Sequence, residues 1–340
     1  MLNHEFVSPV NGSQCHASTL VALTGGRFMA AWFEGRAEGD PTCAIRFACR
    51  GNDGRWTAPE TIAKVAYAAH WNPVLFHAPD GTLTLCFKVG AAIAQWRTYV
   101  MRSSDEGGQW SAPVELVPGD DSGGRGPVKN PPICTAAGLL VAPASYEVGG
   151  RWRAFTDMSD DGGMTWHRSA DVPLPEVHVD DPALEGRLGV IQPTLWESSP
   201  ERLHMLLRSN NHCIYRSDSE DGGRTWGVAY PTNLPNNNSG ICLARLGDGR
   251  LLLAANLQAC NWGGRGLLSL IVSRDNGIHW GAPVTVEAAP SDGLPSGQAP
   301  ELSYPTLVAL PDGDAFALTY TWHRRRIAFV AGSFARCFGG

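Results

Sequence analysis

The sequence predicts an all-β fold, a six-bladed β-propeller whose blades are four-stranded antiparallel sheets with Asp boxes. Two observations carry this prediction: a turn motif that recurs along the 340-residue chain, and six hairpin patterns. A third is that short apolar runs alternate with turn residues, while no amphipathic helical stretch of a dozen residues stands out. Short strands in repeats of about 40 to 60 residues are typical of propellers.

The recurring turn motif is Ser-x-Asp-x-Gly-x-x-Trp, which we call the Asp box. Four segments match it and a fifth, CRGNDGRW, keeps the turn residues and the tryptophan; they end at Trp56, Trp110, Trp166, Trp226 and Trp280. Asp and Ser side chains can hold backbone amides in a tight turn, Gly supplies a positive φ, and Trp packs between sheets. We expect these boxes to be structural, because each brings too few carboxylates for a calcium loop.

Six hairpin patterns give the blade count. Each is an apolar run, a turn and a second alternating run, as in LVALTGGRFMAAW, VLFHAPDGTLTLCF, ICTAAGLLVAP, TLWESSPERLHMLL, LARLGDGRLLLAA and LVALPDGDAFALTY. A ring of blades is stable only when it is complete, and no linker or shift in composition interrupts the chain. The sequence therefore predicts one propeller domain over residues 1–340.

Composition excludes several classes of function. The 27 basic and 33 acidic residues give a net charge of −6, whereas binders of nucleic acid or anionic membranes need a basic surface. No apolar run is long enough for a membrane span. We therefore expect neither a nucleic-acid nor a membrane partner, and any acidic ligand would be met by a few placed arginines.

The sequence lacks the short motifs that mark several common classes of enzyme. It contains no GxSxG, P-loop, dinucleotide fingerprint or HExxH, and its nine cysteines form no CxxC, so we expect no cofactor and no metal. The N-terminal MLNHEFVSPVNGSQC shows no secretory signal. This favours a cytoplasmic location, with secretion left open, and the oligomeric state is not determined.

Asp boxes on six predicted blades resemble those of the sialidase (neuraminidase) superfamily, over nearly the whole chain. The resemblance implies a retaining glycoside hydrolase. In that family a Tyr nucleophile is activated by a Glu, a loop Asp is the acid/base, and three arginines clamp the substrate carboxylate.

Several segments of the sequence match the family pattern at individual residues. In AAWFEGRAEGDPTCAIRFACR, Arg36 and Asp40 take the places of the family's Glu-x-Arg arginine and of the acid/base Asp. MLLRSNNH places Arg208 at the second clamp position, and GGRGLLSLIVSRDNG places Arg265 at the third. ELSYPTLVAL is similar to the nucleophile segment, which implies that Tyr304 is the nucleophile.

Two positions depart from the family pattern. CHASTL has His16 where the first clamp arginine is expected, and GVIQPTLWES has Gln192 where the activating Glu is expected. A neutral amide cannot take the proton of a phenol. A histidine can exchange a proton near neutral pH, so His16 and Tyr304 could form an acid/base pair.

Other polar segments are candidates for sugar binding as well as ordinary turns. GGRGPVKNPPI, LPNNNSG and HWNPVLF supply Lys129, Asn130, Asn237 and Asn72 as substrate-binding candidates, with Arg125 and His70 beside them. Tryptophans outside the boxes could stack on sugar rings; they are Trp71, Trp96, Trp196, Trp262 and Trp322. Glu38 rivals Asp40 for proton transfer. The HRRR run at 323–326 is expected to be a solvated edge from which one arginine could turn inward.

The leading hypothesis is a sialidase-like hydrolase that removes a terminal acidic sugar from a glycan. Arg208 and Arg265 would bind the carboxylate, Tyr304 would act at the anomeric centre, and Asp40 would protonate the leaving oxygen. A uronate lyase that uses His16 and Tyr304 is a second possibility. The third is a glycan-binding propeller without catalysis.

Overall fold

The structure is a computed structural model that describes residues 2–289, 299–311 and 313–339. In these residues, 24 strands form six four-stranded antiparallel sheets, which confirms the predicted six-bladed propeller. The predicted hairpins are the first two strands of each blade, and Asp312 in the turn of the sixth lies outside the described residues. In the same residues no helix is both long enough and apolar enough to cross a membrane.

The elements follow one another in chain order. The first twelve strands are β1 (Asn3–Phe6), β2 (Gln14–Ala22), β3 (Phe28–Gly35), β4 (Ala44–Arg50), β5 (Glu60–Ala63), β6 (His70–His77), β7 (Leu83–Val89), β8 (Arg97–Ser103), β9 (Val114–Glu115), β10 (Ile133–Cys134), β11 (Leu140–Val148) and β12 (Arg151–Ser159). The other strands are β13 (His167–Arg168), β14 (Val190–Ser199), β15 (Arg202–Ser209), β16 (Cys213–Ser219), β17 (Tyr230–Pro235), β18 (Cys242–Arg245), β19 (Leu251–Ala255), β20 (Leu267–Ser273), β21 (Val284–Ala288), β22 (Leu302–Ala309), β23 (Ala315–Trp322) and β24 (Arg326–Ser333). The short helix α1 (Phe334–Phe338) follows.

Both ends of the chain build the last blade. Blades one to five are β2–β5, β6–β9, β10–β13, β14–β17 and β18–β21, each in simple meander order. The sixth blade has the order β22, β23, β24, β1, because Asn3–Phe6 pairs antiparallel with β24. The innermost strands β2 and β22 are in contact, which closes the ring.

The core is divided among the blade interfaces. Successive residues of a strand point to opposite faces of its sheet, so an inner strand packs on both neighbouring blades. Leu20 thus belongs to the apolar cluster shared by blades six and one, while Val21 belongs to the cluster shared by blades one and two. Comparable clusters fill the other four interfaces, so each blade depends on both neighbours.

The Asp boxes are closed, self-bonded turns. In the third blade the Ser159 hydroxyl donates to Asp161 at 2.8 Å and accepts the N–H of Gly163 at 2.8 Å. Asp161 also accepts the hydroxyl and the N–H of Thr165 at 2.6 and 2.9 Å. These two bonds, together with the one from Ser159, hold the pKa of the Asp161 carboxyl well below its usual range. Trp166 packs into the cluster between blades two and three, as the motif predicts.

Strand order separates the two ends of the propeller. The Asp boxes join third and fourth strands, and antiparallel pairing places those loops at the same end as the predicted hairpin turns. We call this end the Asp-box face. The starts of the innermost strands and the loops between second and third strands lie at the other end, which we call the opposite face.

Candidate functional site

The innermost strands begin on the opposite face with strained residues. Five residues at these starts or in the loop just before one have a positive φ: Ala17 (52°), Asn72 (37°), Gln192 (52°), Asn238 (59°) and Tyr304 (52°). In four of these strands the pairing register also shifts there, as a β-bulge does. A non-glycine residue held at positive φ costs free energy and marks a place where a side chain is re-aimed.

Three of these re-aimed side chains converge on Arg208. Arg208 lies at the end of β15 and is only 4% exposed. Its Nε donates to Asn238 Oδ1 at 2.7 Å, and its Nη1 donates to Gln192 Oε1 at 3.1 Å and to the Tyr304 hydroxyl at 2.8 Å. The bulges of blades four and six and the loop before blade five thus meet at one guanidinium.

Tyr304 lies between Arg208 and His16. Its hydroxyl oxygen accepts from Arg208 Nη1 and also from Gln192 Nε2 at 3.2 Å. Because both lone pairs are then used, the hydroxyl hydrogen is free to point toward a further acceptor. The ring packs against the His16 imidazole with the ring centroids 4.3 Å apart.

His16 is buried and neutral at neutral pH. Burial lowers the pKa of His16 to about 3, and the Arg324 guanidinium acts in the same direction. Its Nδ1 lies 2.9 Å from the Thr321 hydroxyl. It therefore supplies an uncharged polar ring where the resemblance would place a cationic clamp residue.

Two tryptophans flank Arg208, and we call the region bordered by Arg208, Trp152 and Trp262 the Arg208 hollow. The Arg208 Cζ lies 5.4 Å from the Trp152 ring and 6.0 Å from the Trp262 ring, both within cation–π range. The two rings meet edge to face at 5.8 Å. Trp262 is 53% exposed, so an apolar ring surface remains open to a ligand beside the guanidinium.

A network of ion pairs borders the other side of Tyr304. Glu301 binds Arg265 at 3.1 Å and Arg324 at 2.7 Å, and Glu38 also pairs with Arg324. Burial raises the pKa of Glu301, but the neighbouring guanidiniums outweigh it and hold that pKa well below its usual range. Arg265 and Arg324 are thus neutralised, whereas Arg208 has no ion pair with a carboxylate in the residues that the structure describes.

Predicted site residues from four blades are in contact here. His16, Gln192, Arg208 and Tyr304 form the centre just described. Arg265 borders it, with its Cζ 5.9 Å from the Tyr304 ring and its Nη2 3.3 Å from the Asn238 carbonyl oxygen.

Lys129 and Asn130 tie the innermost strands together beneath the centre. The buried Lys129 ammonium donates to Asn130 Oδ1 at 3.0 Å, to the Ile241 carbonyl at 2.9 Å and to the Pro305 carbonyl. Burial lowers the pKa of Lys129 to about 8. Asn130 in turn donates to the Pro193 carbonyl at 2.8 Å. These contacts are with the framework, and they hold the bulged strands in register.

The other polar candidates also make framework contacts. Asn72 donates to the Val128 carbonyl at 3.1 Å. Asn237 donates to the Gly264 carbonyl at 2.6 Å, while its buried Oδ1 has no partner in the described residues. Arg125 forms a bidentate pair with Asp157, with Nη2–Oδ1 at 2.8 Å, and His70 accepts the Val65 N–H at 2.9 Å.

The β3–β4 loop carries Arg36 and Asp40. The Arg36 side chain is 78% exposed and lies beside Glu34 and Arg46, next to the outer strands of blade one. Asp40 Oδ1 accepts the hydroxyl and N–H of Thr42 at 2.6 and 2.8 Å, which lowers the pKa of Asp40. No hydrogen bond in the described residues joins either side chain to the Arg208 centre.

Sequence reasoning did not select three side chains around Arg208, which are Trp152, Glu147 and Glu301. Trp152 and Glu147 lie outside the segments that carried the resemblance, whereas Glu301 is the first residue of the ELSYPTLVAL segment. Asn238 belongs to LPNNNSG, one of the polar segments that the sequence did single out. Arg324 belongs to the HRRR run, where one arginine was expected to be able to turn inward, and it does so through Glu38 and Glu301. The repeated dipeptides Asn-Pro, Gln-Pro and Tyr-Pro at the starts of inner strands were the available signal for the bulges.

Comparison with known proteins supports this architecture. A family model described as a BNR repeat-like domain matches residues 26–317. No curated protein sequence matches the chain. Among solved structures, a protein of unknown function from Dyadobacter fermentans has a TM-score of 0.77 and 16% identity, covering 97% of this chain and 98% of its own.

Sialidases are among the similar structures. A Hadza microbial sialidase has a TM-score of 0.76 and 17% identity, covering 95% of this chain and 66% of its own. The leech intramolecular trans-sialidase has a TM-score of 0.72 and 15% identity, covering 98% of this chain and 70% of its own. At this identity the likeness shows the fold. The family model spans most of the chain, so this protein belongs to the BNR repeat-like domain family.

Proposed function

We propose that this protein is a sialidase-like glycoside hydrolase that removes a terminal acidic sugar, with Arg208 holding the sugar carboxylate. The observation that carries the proposal is a buried guanidinium without a carboxylate partner in the described residues, flanked by two tryptophan rings of which one is exposed. The sialidases and trans-sialidases among the similar structures support the same chemical class.

The energetics of Arg208 favour an anionic ligand. Burying an ion that has no partner costs roughly several kcal/mol of free energy, even after the protein relaxes around it. A carboxylate can accept two parallel N–H bonds from a guanidinium and would supply the missing charge. Because Arg265 and Arg324 already have carboxylate partners, the site suits one carboxylate rather than a ligand of higher charge.

The surrounding groups suit a sugar that carries that carboxylate. The exposed Trp262 face offers an apolar surface to a pyranose ring, while the polar centre beneath it faces ring substituents. In the proposed reaction the Tyr304 oxygen acts at the anomeric centre, and its bonds from Arg208 and Gln192 fix its position. The resemblance assigns protonation of the leaving oxygen to Asp40 on the β3–β4 loop.

The test compares two arginines of one strand. Arg208→Gln removes the proposed carboxylate ligand, and Arg202→Gln is the matched control, because Arg202 starts the same strand on the Asp-box face in an exposed pair with Glu220. With fluorogenic sialosides and uronides, Arg208→Gln should lower kcat/KM by about 10²–10³-fold, a size typical for loss of a charge-stabilising donor. Arg202→Gln should behave as wild type.

Binding measurements separate carboxylate recognition from turnover. Calorimetry should show that free sialic or uronic acid binds, while its methyl ester binds at least tenfold more weakly. Equal affinity for acid and ester, or no hydrolysis of any acidic glycoside by the wild-type protein, would overturn the proposal.

Elimination from a uronate chain is a second candidate function. It is favoured by the neutral His16 ring packed on Tyr304 and by Gln192, an amide where hydrolysis by a Tyr nucleophile calls for a carboxylate. In a lyase, Arg208 would neutralise the uronate carboxylate and one of the His16–Tyr304 pair would remove the α-proton. An unsaturated product with new ultraviolet absorbance would identify elimination, and binding without either product would identify a glycan-binding propeller.

A further inference from the structure

A carboxyl group on blade three faces the Arg208 hollow. Glu147 lies near the end of β11, directly opposite Trp152 of β12. Directly opposed residues of an antiparallel pair project to the same side of the sheet. The Arg208 Cζ lies 5.4 Å from the Trp152 ring centroid, and Ser145, two residues before Glu147, accepts the Gln192 N–H at 3.1 Å. The Glu147 side chain therefore leaves the sheet on the side of the Arg208 centre.

Glu147 differs from the other carboxylates around the hollow because it has no partner among the residues that the structure describes. Glu38 and Glu301 are held by arginines, and Asp40 is held by Thr42. Glu147 is half-buried and makes no side-chain hydrogen bond or ion pair with any residue that the structure describes. A half-buried carboxyl without a structural partner, beside a site for an acidic ligand, is available for proton transfer.

Its surroundings favour the protonated form. Burial raises the pKa of Glu147; Arg208 opposes this shift, and the charge of Glu38 adds to it. When the carboxylate of a ligand neutralises Arg208, the opposing influence is lost and the added negative charge raises this pKa further. Asp40 has the reverse environment, because its two bonds from Thr42 favour the ionised form.

We propose that Glu147 is the catalytic acid that protonates the leaving oxygen of a glycoside held by Arg208; this rests on the proposed function. The Glu147 O–H bond breaks and its proton moves to the glycosidic oxygen, which keeps the electron pair of its breaking bond to the anomeric carbon. The alcohol departs, and the cationic anomeric carbon is stabilised by the Tyr304 oxygen. A water molecule then adds its oxygen to that carbon and returns one proton to the Glu147 carboxylate.

The kinetic test varies the leaving group. Glu147→Gln should lower kcat/KM by about 10²–10⁴-fold for acidic glycosides of simple alcohols. For aryl glycosides with acidic phenols the loss should be much smaller, because such groups depart without protonation. The basic limb of the pH profile should disappear as well. Glu176→Gln, an exposed carboxyl after blade three, is the matched control and should keep wild-type kinetics.

A second measurement does not need turnover. Calorimetry of acidic-sugar binding in buffers of different ionisation enthalpy should show proton uptake by wild type and by Asp40→Asn, but not by Glu147→Gln, whose folding is checked by its melting temperature. Uptake that persists in Glu147→Gln, or equal kinetic losses on alkyl and aryl glycosides, overturns the Glu147 assignment alone. A wild-type protein that hydrolyses no acidic glycoside overturns the proposed function, and this assignment with it.

Discussion

The two faces of the propeller are built from different kinds of contact. On the Asp-box face, each Ser–Asp bond joins residues two positions apart, and the same turn recurs in four blades. On the opposite face, Arg208 meets Tyr304 across 96 positions and His16 meets Thr321 across 305. The repeated sequence therefore builds the ring, whereas departures from the repeat build the site.

The difference also concerns how polar groups are satisfied. The Ser and Asp side chains of an Asp box close their hydrogen bonds within about five residues. The neighbouring blade adds a surface for the tryptophan and single bonds to the turn, such as the one that Arg102 donates to the Gly163 carbonyl. The opposite face leaves a buried guanidinium and a half-buried carboxyl without ionic partners in the described part of the chain. We expect changes on the first face to alter stability and changes on the second to alter chemistry.

The largest effect on turnover is expected for a substitution of Tyr304. Tyr304→Phe keeps the ring that packs on His16 but removes the oxygen that Arg208 and Gln192 hold. Turnover of an acidic glycoside should fall by about 10²–10⁴-fold, the range for loss of a group that acts in the reaction. Affinity for the free acid should change little, since Arg208 remains.

Steady-state kinetics and calorimetry on the same preparation check this prediction. Tyr320→Phe is a control within blade six, because its hydroxyl binds Glu287 away from the Arg208 centre. A Tyr304→Phe protein with wild-type turnover would remove Tyr304 from the chemistry and favour a binding role for the hollow.

The second prediction is that groups on the two faces change the free energy of unfolding in different ranges of pH. Burial lowers the pKa of His16 to about 3 and that of His70 to about 4. In the unfolded chain a histidine has a pKa near 6.5, so between about pH 6.5 and 4 the unfolded state binds protons that the folded state does not. The free energy of unfolding should therefore fall as pH falls, by up to about 1.4 kcal/mol per pH unit for each histidine.

The Asp-box carboxylates act in a lower window. Hydrogen bonds from His279 lower the pKa of Asp275 to about 2, so its contribution is complete above about pH 4 and is lost between about pH 4 and 2. Urea unfolding across pH should show a shallower slope above pH 4 in His16→Gln and a shallower slope below it in Asp275→Asn. The same slope in all three proteins above pH 4 would contradict the assignment of His16.

The third effect concerns a single Asp box. Ser159→Ala leaves the buried Gly163 N–H without its acceptor and Asp161 without one donor, which should cost about 1–3 kcal/mol of unfolding free energy. The exposed Asp160→Asn in the same box should have no measurable effect. Activity per folded molecule should stay at the wild-type value in both, and a catalytic defect in Ser159→Ala would show that the faces are coupled.

The contrast between the two faces explains which features could be predicted from the sequence. The Asp boxes and hairpins predict the blades because each is a local pattern. The sequence also placed Arg208, Gln192, His16 and Tyr304 as candidates, and they do meet. Their contacts depend on bulges with positive φ, which a pattern of residue types does not specify.

Other features had weaker signals or none. Closure of the sixth blade by residues 3–6 needs long-range pairing that no local motif announces. Glu147 lies near the end of an ordinary strand, so only its position opposite Trp152 reveals where it points. Lys129 stood out correctly as a lysine among apolar residues and prolines, but its three acceptors are framework oxygens, which composition alone cannot distinguish from a ligand.

The smallest effect on kinetics is expected for a substitution of Arg36. The loop that carries Arg36 lies on the opposite face, but the side chain itself is exposed to solvent. Its side chain is 78% exposed, and its nearest carboxylate, Asp40, is 3.7 Å away. Exposed pairs of this kind contribute little, so Arg36→Ala should change kcat and KM by less than about twofold. The resemblance to sialidases makes Arg36 a substrate contact, and kinetics at low and high salt separate the two views. If Arg36→Ala lowers kcat/KM tenfold at low salt and has no effect at high salt, the β3–β4 loop brings this arginine to the substrate. The substrate site would then extend beyond the residues that are hydrogen-bonded to Arg208.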